Sequence, residues 1–236
     1  MNATSVAAFL RRDLLLLRRN TASLISMFVV PPLFLLCLYA VFGYSAGQSG
    51  FGYLRFVLGG CLFQAAMFTA AASAMAVGQD VESGLVDRVR VLPGATGGYV
   101  AGRLATDVLR MSASIAALLV VAWACGLDMA VGDVAWTVLW SLLAAAVLSL
   151  VTDGVILMVP APVSTASSIQ ALEMLLLMFS TAFIPATALD GSLRDVVRHM
   201  PFSPIIEVIR AASPDAFPDS AGEEAALWLG VAAVAG

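Results

Sequence analysis

The sequence predicts an all-α protein that crosses a membrane several times. Of its 236 residues, 61% are hydrophobic and only 12% are charged, whereas a soluble domain has about half apolar and a quarter charged residues. The apolar residues fall into blocks of roughly 20 or more, long enough for a helix to cross the hydrocarbon of a bilayer. Because the first block begins well inside the chain and others follow, it is not a cleaved signal peptide.

Apolar length predicts five complete crossings and a partial sixth within one transmembrane domain, 1–236. The complete crossings are expected at 24–44, 54–78, 104–127, 134–159 and 165–189, and the partial one at 224–236. About a dozen residues at roughly 1.5 Å each cannot span the hydrocarbon. We therefore expect either a chain that is cut inside its sixth helix, which we favour, or a re-entrant tail.

An amphipathic helix is predicted ahead of the first span, at residues 3–20. Arginines occupy about a third of its helical wheel and apolar side chains lie opposite, a pattern typical of a helix at the membrane interface. The candidate interfacial anchors are Arg11, Arg12, Arg18 and Arg19, and the apolar face contains Val6, Leu10, Leu14 and Leu17. Simple lipid anchoring is the alternative to any further role.

The segment 79–93 concentrates charges between two apolar blocks. Its apolar residues, Val81, Leu85, Val89 and Leu92, recur along one side of a short helix that Pro93 ends. This pattern predicts a helix along the membrane surface, with its charged face towards water or another protein. An ordinary solvated loop is the alternative.

Arginine placement predicts which ends of the spans face the cytoplasm. Arginines precede the first span and lie around the 79–93 segment, whereas the loop from Asp128 to Asp133 is acidic. The positive-inside rule then places the N-terminus and 79–93 in the cytoplasm of a multi-pass plasma (inner) membrane protein. Most of the arginines outside the spans agree with this orientation, but four fall on the other side: Arg55, Arg194, Arg198 and Arg210.

On that outer side, 190–213 is predicted to form an amphipathic segment at the surface, bounded by Pro201.

Several kinds of catalytic site are disfavoured by residue usage. All twelve basic residues are arginine, and a Walker A loop needs a lysine on the nucleotide phosphates. We therefore expect no ATPase site in this chain. The cysteines lie inside apolar runs, where they are expected to pack as small apolar residues. His199 has no second ligand nearby, so no metal site is predicted.

Polar residues inside the predicted spans require an explanation, because ionisable groups are costly in hydrocarbon. Arg103, Asp107 and Arg110 share one face of the third span and predict a self-neutralising ladder with snorkelling arginines. Asp153 and Glu173 lie deeper, in two spans joined by a tight turn, so the two acids are expected close together. The candidates for a translocation path are Gln64, Asp153, Gln170 and Glu173. Hydrogen bonding between helices is the alternative role for the acids.

Three stretches, in order, resemble the permeases of the ABC-2 type transporter family. "RDLLLLRRNTASLISMFVVPPLFLLCLYAVFG" resembles the arginine-bearing elbow and proline-containing first span of the family. "DVESGLVDRVRVLPGATGGYVAGRLATDVLR" is similar to its acidic, glycine, arginine and proline block before the third span. "FSTAFIPATALDGSLRDVVRHMPFSPIIEVIRAA" resembles its exit from the fifth span. The branch that the chain resembles most is the short drug- and lipid-exporter branch typified by daunorubicin-resistance permeases.

The resemblance implies a six-helix ABC-2 permease architecture, incomplete here in its sixth helix, and a dimer of permease subunits. Each would pair with a cytoplasmic ABC ATPase through a coupling helix between spans two and three, and ATP and Mg²⁺ would bind to that partner. By position, the implied coupling residues are Asp80, Glu82, Gly84, Asp87, Arg88 and Pro93. The implied function is export of a hydrophobic or amphiphilic drug or lipid, with no cofactor in this chain and no nucleic-acid partner.

Other functions remain open from the sequence. A related permease would export polysaccharide or a lipid-linked glycan, although the 8% aromatic content disfavours such a path. An integral membrane enzyme would have to use Asp153 and Glu173, and it would not be a zinc protease, because the chain has one histidine and therefore no H-E-x-x-H motif. A non-transporting assembly or immunity protein is the third class.

Overall fold

The computed structural model describes residues 3–19, 25, 28–48, 52–92, 94–183, 197, 202–211 and 227. Within these ranges the regular structure consists of helices and no strand. The helices are α1 (Ala3–Arg19), α2 (Val30–Gln48), α3 (Tyr53–Glu82), α4 (Leu85–Arg90), α5 (Ala95–Ala124), α6 (Val131–Met158), α7 (Pro162–Met178) and α8 (Phe202–Arg210). The fold is therefore all-α, as the sequence predicts.

Among the described helices, α3, α5 and α6 are long and apolar enough to cross a membrane, and a shorter apolar helix covers Val30–Gly43. Helix α3 continues to Glu82, beyond the predicted second span, and α5 begins at Ala95, ahead of the predicted third span. These helices extend beyond their apolar blocks because polar residues at their ends pair with neighbouring helices. The predicted sixth span lies outside the described residues except for Leu227.

Helix α3 lies at the centre of the bundle and contacts α2, α5, α6, α7 and α8. Its side chains form the middle of the main apolar core, where Phe63 and Leu62 are fully buried. Met111 and Leu118 of α5 complete this core from one side. Burial of such apolar side chains is the main favourable contribution to their packing. A movement of α3 alone would break these contacts, so its neighbours have to move with it.

Contacts between side chains determine the helix directions. Ser73 of α3 meets Asp153 of α6, and Arg55 of α3 meets Asp133 of α6, so these two helices run parallel. Ser73 also meets Arg103 of α5. Later residues of α5 lie beside earlier residues of α3. Helix α5 therefore runs antiparallel to α3, as expected for successive spans. The bundle has two ends, called here the α4 end and the α8 end after the short helix at each.

Helix α1 packs against the beginning of α5 rather than only against lipid. A Cβ atom at Gly98 would lie 2.8 Å from Ser5 Cβ, and one at Gly102 would lie 2.8 Å from Phe9 Cβ. Glycine at these two positions lets the helices approach closely. The ring of Phe9 also contacts that of Tyr99 edge to face, with centroids 5.5 Å apart. The α1 helix is thus a fixed part of the bundle.

Helix α8 packs into the opposite end of the bundle, which corrects the prediction that the whole 190–213 segment lies along the outer surface. Ile206 and Ile209 are fully buried. The last carbonyls of α8 accept hydrogen bonds from α6: Trp136 Nε1 donates to Val208 O at 3.2 Å and Thr137 Oγ1 to Ile209 O at 3.2 Å. These bonds satisfy acceptors that a helix end leaves open. The rest of that segment lies outside the described residues except for Val197.

Arg210 closes the α8 end beneath this helix. Its Nε donates to Phe56 O at 2.9 Å, its Nη2 donates to Ala182 O, and its guanidinium carbon lies 3.8 Å from the centroid of the Phe56 ring. Cation–π contact and carbonyl acceptors together compensate a buried guanidinium. Arg210 therefore ties α8 to α3 and to the end of α7.

Candidate functional site

The segment predicted as one coupling helix is divided by a turn. Helix α3 ends at Glu82, Ser83 and Gly84 form the turn, and α4 begins at Leu85. Gly84 has φ +71°, a left-handed conformation that residues with a Cβ atom rarely adopt and that ends a helix. The prediction of a continuous helix over 79–93 is therefore wrong, because this glycine interrupts it.

The turn and α4 present charges to the outside and apolar residues to the bundle. Glu82, Asp87 and Arg88 are exposed. Val86 and Val89 are buried and pack with Tyr99 of α5. The predicted apolar stripe is partly wrong, because Leu92 is 56% exposed and the break at Gly84 shifts the helical phase so that Val86 takes the inner position. Pro93 lies outside the described residues.

Asp80 lies apart from this exposed surface, although the resemblance grouped it with the coupling residues. It is 4% exposed and accepts hydrogen bonds from Tyr99 Oη at 3.0 Å and Arg103 Nη1 at 3.3 Å. It also forms an ion pair with Arg12. A carboxylate enclosed in this way cannot contact a separate subunit without breaking these bonds.

Asp80 belongs to a buried ionic network at the α4 end, in which four helices meet. Arg103 is its centre: Nη1 lies 3.5 Å from Asp13 and 3.3 Å from Asp80, and Nε lies 4.0 Å from Asp153. Its remaining N–H groups donate to Ser73 Oγ at 3.2 Å and Ser73 O at 3.0 Å. The members are Arg12 and Asp13 of α1, Asp80 of α3, Arg103, Asp107 and Arg110 of α5, and Asp153 of α6.

Of the predicted ladder on α5, Asp107 and Arg110 form an ion pair, whereas Arg103 pairs with other helices, and neither arginine snorkels. Arg110 Nη1 lies 3.1 Å from Asp107 Oδ1, so this pair is confirmed. Arg103 is only 6% exposed and Arg110 only 7%, because this face of α5 packs against α3 instead of facing lipid. Buried charges are stable only when partners surround them, and the network supplies these partners.

Arg12 is a member of the network rather than a lipid anchor. Its Nη1 donates to Asp80 at 3.0 Å and to Asp13 at 3.1 Å. The hydrogen bond to Asp80 raises the pKa of Arg12, which keeps it charged. Burial raises the pKa of Asp13, against the opposing effect of Arg103. Of the other predicted anchors, Arg11 and Arg18 are exposed and fit the interfacial role, and the side chain of Arg19 lies outside the described part.

The translocation-path candidates differ in their surroundings. Asp153 accepts a hydrogen bond from Ser73 Oγ at 2.8 Å, and its ionic partner is Arg103 rather than an acid on α7. Glu173 is 7% exposed and Gln64 is 6% exposed. Glu173 Oε2 and Gln64 Oε1 have no hydrogen-bond partner within the described part of the chain. Gln170 is half-buried.

A cavity of about 110 Å³ lies beside the network, between α3, α5 and α6. Its polar lining consists of Tyr99, Arg103, Asp107, Ser149 and Asp153, and its apolar lining consists of Val77, Val100, Leu104, Leu150 and Leu157. The sequence did not single out Tyr99, Ser149 or Asp13. The spacing of Tyr99, Arg103 and Asp107 at successive helical turns of α5 is the signal that could have found the first of these. Among the described residues no group of His, Cys, Asp or Glu is placed to hold a metal ion.

Comparison with known proteins agrees with this arrangement of helices. The ABC-2 type transporter family model matches residues 4–213, which is most of the chain. The chain belongs to the ABC-2 type transporter family. No solved structure matches it.

One relative of the chain is the daunorubicin resistance ABC transporter permease protein DrrB1 of Streptomyces coeruleorubidus. It is 32% identical over 117 residues, covering 48% of this chain and 41% of that protein. The chain thus matches less than half the length of this relative. As a member of the ABC-2 family with apolar spanning helices, it is a membrane protein of the transporter permease class, related to a drug-resistance permease.

Proposed function

We propose that this chain is the permease subunit of an ATP-driven exporter that moves a hydrophobic or amphiphilic compound, a drug or a lipid, out of the cytoplasm or the inner leaflet. The observation that carries the proposal is the family match together with the exposed, charged turn at the end of the central helix. A separate ABC ATPase supplies the energy, and ATP and Mg²⁺ bind to that subunit. In this role the chain does no chemistry of its own.

The geometry supports coupling through the surface formed by Glu82, Gly84, Asp87 and Arg88, called here the coupling turn. Glu82 is the last residue of α3, the helix that contacts most of the bundle. Helix α4 rests on Tyr99 of α5 through Val86 and Val89. A partner that pushes on the coupling turn therefore acts on α3 and α5 together.

The proposal places the N-terminus and the coupling turn in the cytoplasm of the plasma membrane, and it places a second permease subunit beside this one. Exposed apolar side chains on α2 and α7 support a protein or lipid neighbour there, among them Leu36, Phe42, Leu175 and Met178. Support for an apolar cargo comes from the relative, whose name assigns it to daunorubicin resistance. Gln64, Asp153 and Glu173 remain the proposed polar contacts along the path.

The test is co-purification from detergent with the ABC ATPase that is encoded next to this chain. We expect wild type to capture the ATPase and Glu82→Arg to lose it, because charge reversal at an exposed contact opposes docking without disturbing a buried group. The matched control is Asp128→Arg, which reverses an exposed acid in the loop at the opposite end. Equal capture by wild type and both variants would contradict a coupling role for Glu82, and no capture by any of them would contradict the proposal that this ABC ATPase powers the permease.

A further inference from the structure

The cavity beside the ionic network has one polar end and apolar walls. Arg103, Asp107 and Asp153 lie at the polar end, and Leu104, Leu150 and other aliphatic side chains line the rest. Val100 and Leu150, at 44% and 37% exposed, form its rim between α5 and α6. A molecule that enters from the bilayer passes between apolar side chains before it meets charge, so the shape suits an amphiphile with a small polar head.

The network around this polar end contains one more carboxyl group than guanidinium groups. Four carboxylates meet three guanidinium groups: Asp13, Asp80, Asp107 and Asp153 against Arg12, Arg103 and Arg110. Of these groups, Arg103, Asp107 and Asp153 line the cavity itself. A buried charge without a partner is strongly disfavoured. A single positive charge in the cavity would balance the network.

The hydrogen-bonding inventory of the lining also favours a donor as ligand. Asp107 and Ser149 are each 2% exposed, and the Asp107 carboxyl has the hydroxyl groups of Ser73 and Ser149 as hydrogen-bonding neighbours. Asp153 Oδ1 has no hydrogen-bond partner among the described residues. Arg103, in contrast, already donates from Nε, Nη1 and Nη2 to protein acceptors. The lining therefore has an unused acceptor, and each nitrogen of its arginine already donates to the protein.

We propose that this cavity binds the ammonium group of a primary amine carried on an apolar stem. A primary ammonium has one positive charge and three N–H donors, which match the additional carboxyl group and the acceptor oxygens of Asp107, Ser149 and Asp153. The aliphatic walls receive the stem. A phosphatidylethanolamine headgroup and a free amphiphilic amine share this chemistry, and the site stands on the cavity whether or not the chain transports its ligand.

The experiment uses the full chain in nanodiscs of phosphatidylcholine, which are neutral and contain no primary amine. The probe is an octylamine with a photoreactive diazirine at the end of its chain, and its matched control is the corresponding octanol. We expect the amine probe to label peptides of α5 and α6 that contain Leu104 and Leu150, and unlabelled octylamine to reduce this labelling about tenfold. Equal labelling by the alcohol would overturn the proposal, because it would show simple partition into the bilayer.

Two variants separate specific binding from loss of fold. Asp153→Asn removes the additional carboxyl group, and Leu104→Trp fills the apolar part of the cavity while every ionisable group remains. We expect each to abolish the competable labelling, and Asp128→Asn, outside the cavity, to leave it unchanged. Competable labelling that survives in Leu104→Trp overturns the proposal even where Asp153→Asn does not fold.

A further arm distinguishes the two sources of the amine. Nanodiscs in which about a third of the lipid is phosphatidylethanolamine are compared with the phosphatidylcholine discs. Loss of probe labelling in the mixed discs supports the lipid headgroup as occupant, and unchanged labelling there supports a free amine. Absence of competable labelling in both kinds of disc overturns the site altogether.

Discussion

Arg103 joins three helices at the α4 end through a single planar group. Its N–H groups contact Asp13 of α1 and Asp80 and Ser73 of α3, while Asp153 of α6 lies 4.0 Å from Nε. A guanidinium presents five donors in a fixed fork, whereas a lysine ammonium is a compact point charge. The geometry therefore explains why this position requires arginine in particular.

Replacement of Arg103 by methionine is expected to destabilise the protein strongly. Removal of one partner from a buried ionic group leaves uncompensated charges, at a cost of about 3 kcal/mol or more. Arg103→Lys should lie between wild type and Arg103→Met, since it keeps the charge but loses the fork. The measurement is the free energy of unfolding from denaturation in mixed micelles.

The control for this prediction is Arg90→Met on α4. Arg90 is exposed and its pair with Asp87 is 3.8 Å long with both side chains largely in solvent, an arrangement that contributes little to stability. The free energy of unfolding of Arg90→Met should therefore remain within about 0.5 kcal/mol of wild type. A loss in Arg103→Met as small as that in Arg90→Met would show that the network is not stabilising.

At the scale of elements, the docking of α1 onto α5 depends on close approach of two helices. Gly98 and Gly102 lie one helical turn apart on α5, at points where a Cβ atom would meet α1. Gly97 lies on the same helix but is exposed. The same residue type thus has two different roles within one turn of α5.

Gly102→Ala is expected to loosen α1, whereas Gly97→Ala is not. Alanine favours the helix over glycine by up to roughly 1 kcal/mol at either position, so a loss specific to Gly102→Ala reports the close approach to Phe9, Val6 and Leu10 of α1. We expect faster amide hydrogen exchange in α1 for Gly102→Ala and unchanged or slower exchange for Gly97→Ala. If α1 exchanges at the wild-type rate in both variants, the close approach does not hold the helix in place.

At the scale of the whole molecule, the two ends of the bundle differ in chemistry. The α4 end contains the buried ionic network and the exposed coupling turn, and the α8 end contains Arg210 among carbonyls and an aromatic ring. The long helices α3 and α5 connect these ends, each with 30 residues, or about 45 Å. A displacement at one end can therefore reach the other through continuous helices.

The proposed orientation predicts that the two ends lie on opposite sides of the membrane. In a background where Cys37, Cys61 and Cys125 are replaced by alanine, single cysteines are introduced as Glu82→Cys and Asp128→Cys. We expect a membrane-impermeant maleimide to label Asp128→Cys in intact cells and Glu82→Cys only after permeabilisation. Labelling of Glu82→Cys in intact cells would reverse the orientation, and with it the assignment of the coupling turn.

The helical class, the three long apolar helices and the exposed charges of Glu82, Asp87 and Arg88 could be predicted from the sequence. Each depends on local information: the length of an apolar block, the period of a helix, or a glycine and proline that end it. The placement of Arg103, Asp107 and Arg110 on one face could also be predicted, because these residues belong to one helix.

Tertiary structure alone decided which surface each polar residue faces. Arg12, Asp13 and Asp80 are distant in the chain from Arg103, and helical periodicity does not show that α1 folds against α5 with its arginine turned inward. The same holds for the cavity, whose lining comes from three helices. By itself, the sequence determined which segments form apolar helices, because that depends on local composition. The packing of those helices determined which charges are buried and paired, because a buried charge is stable only where other elements bring its partners.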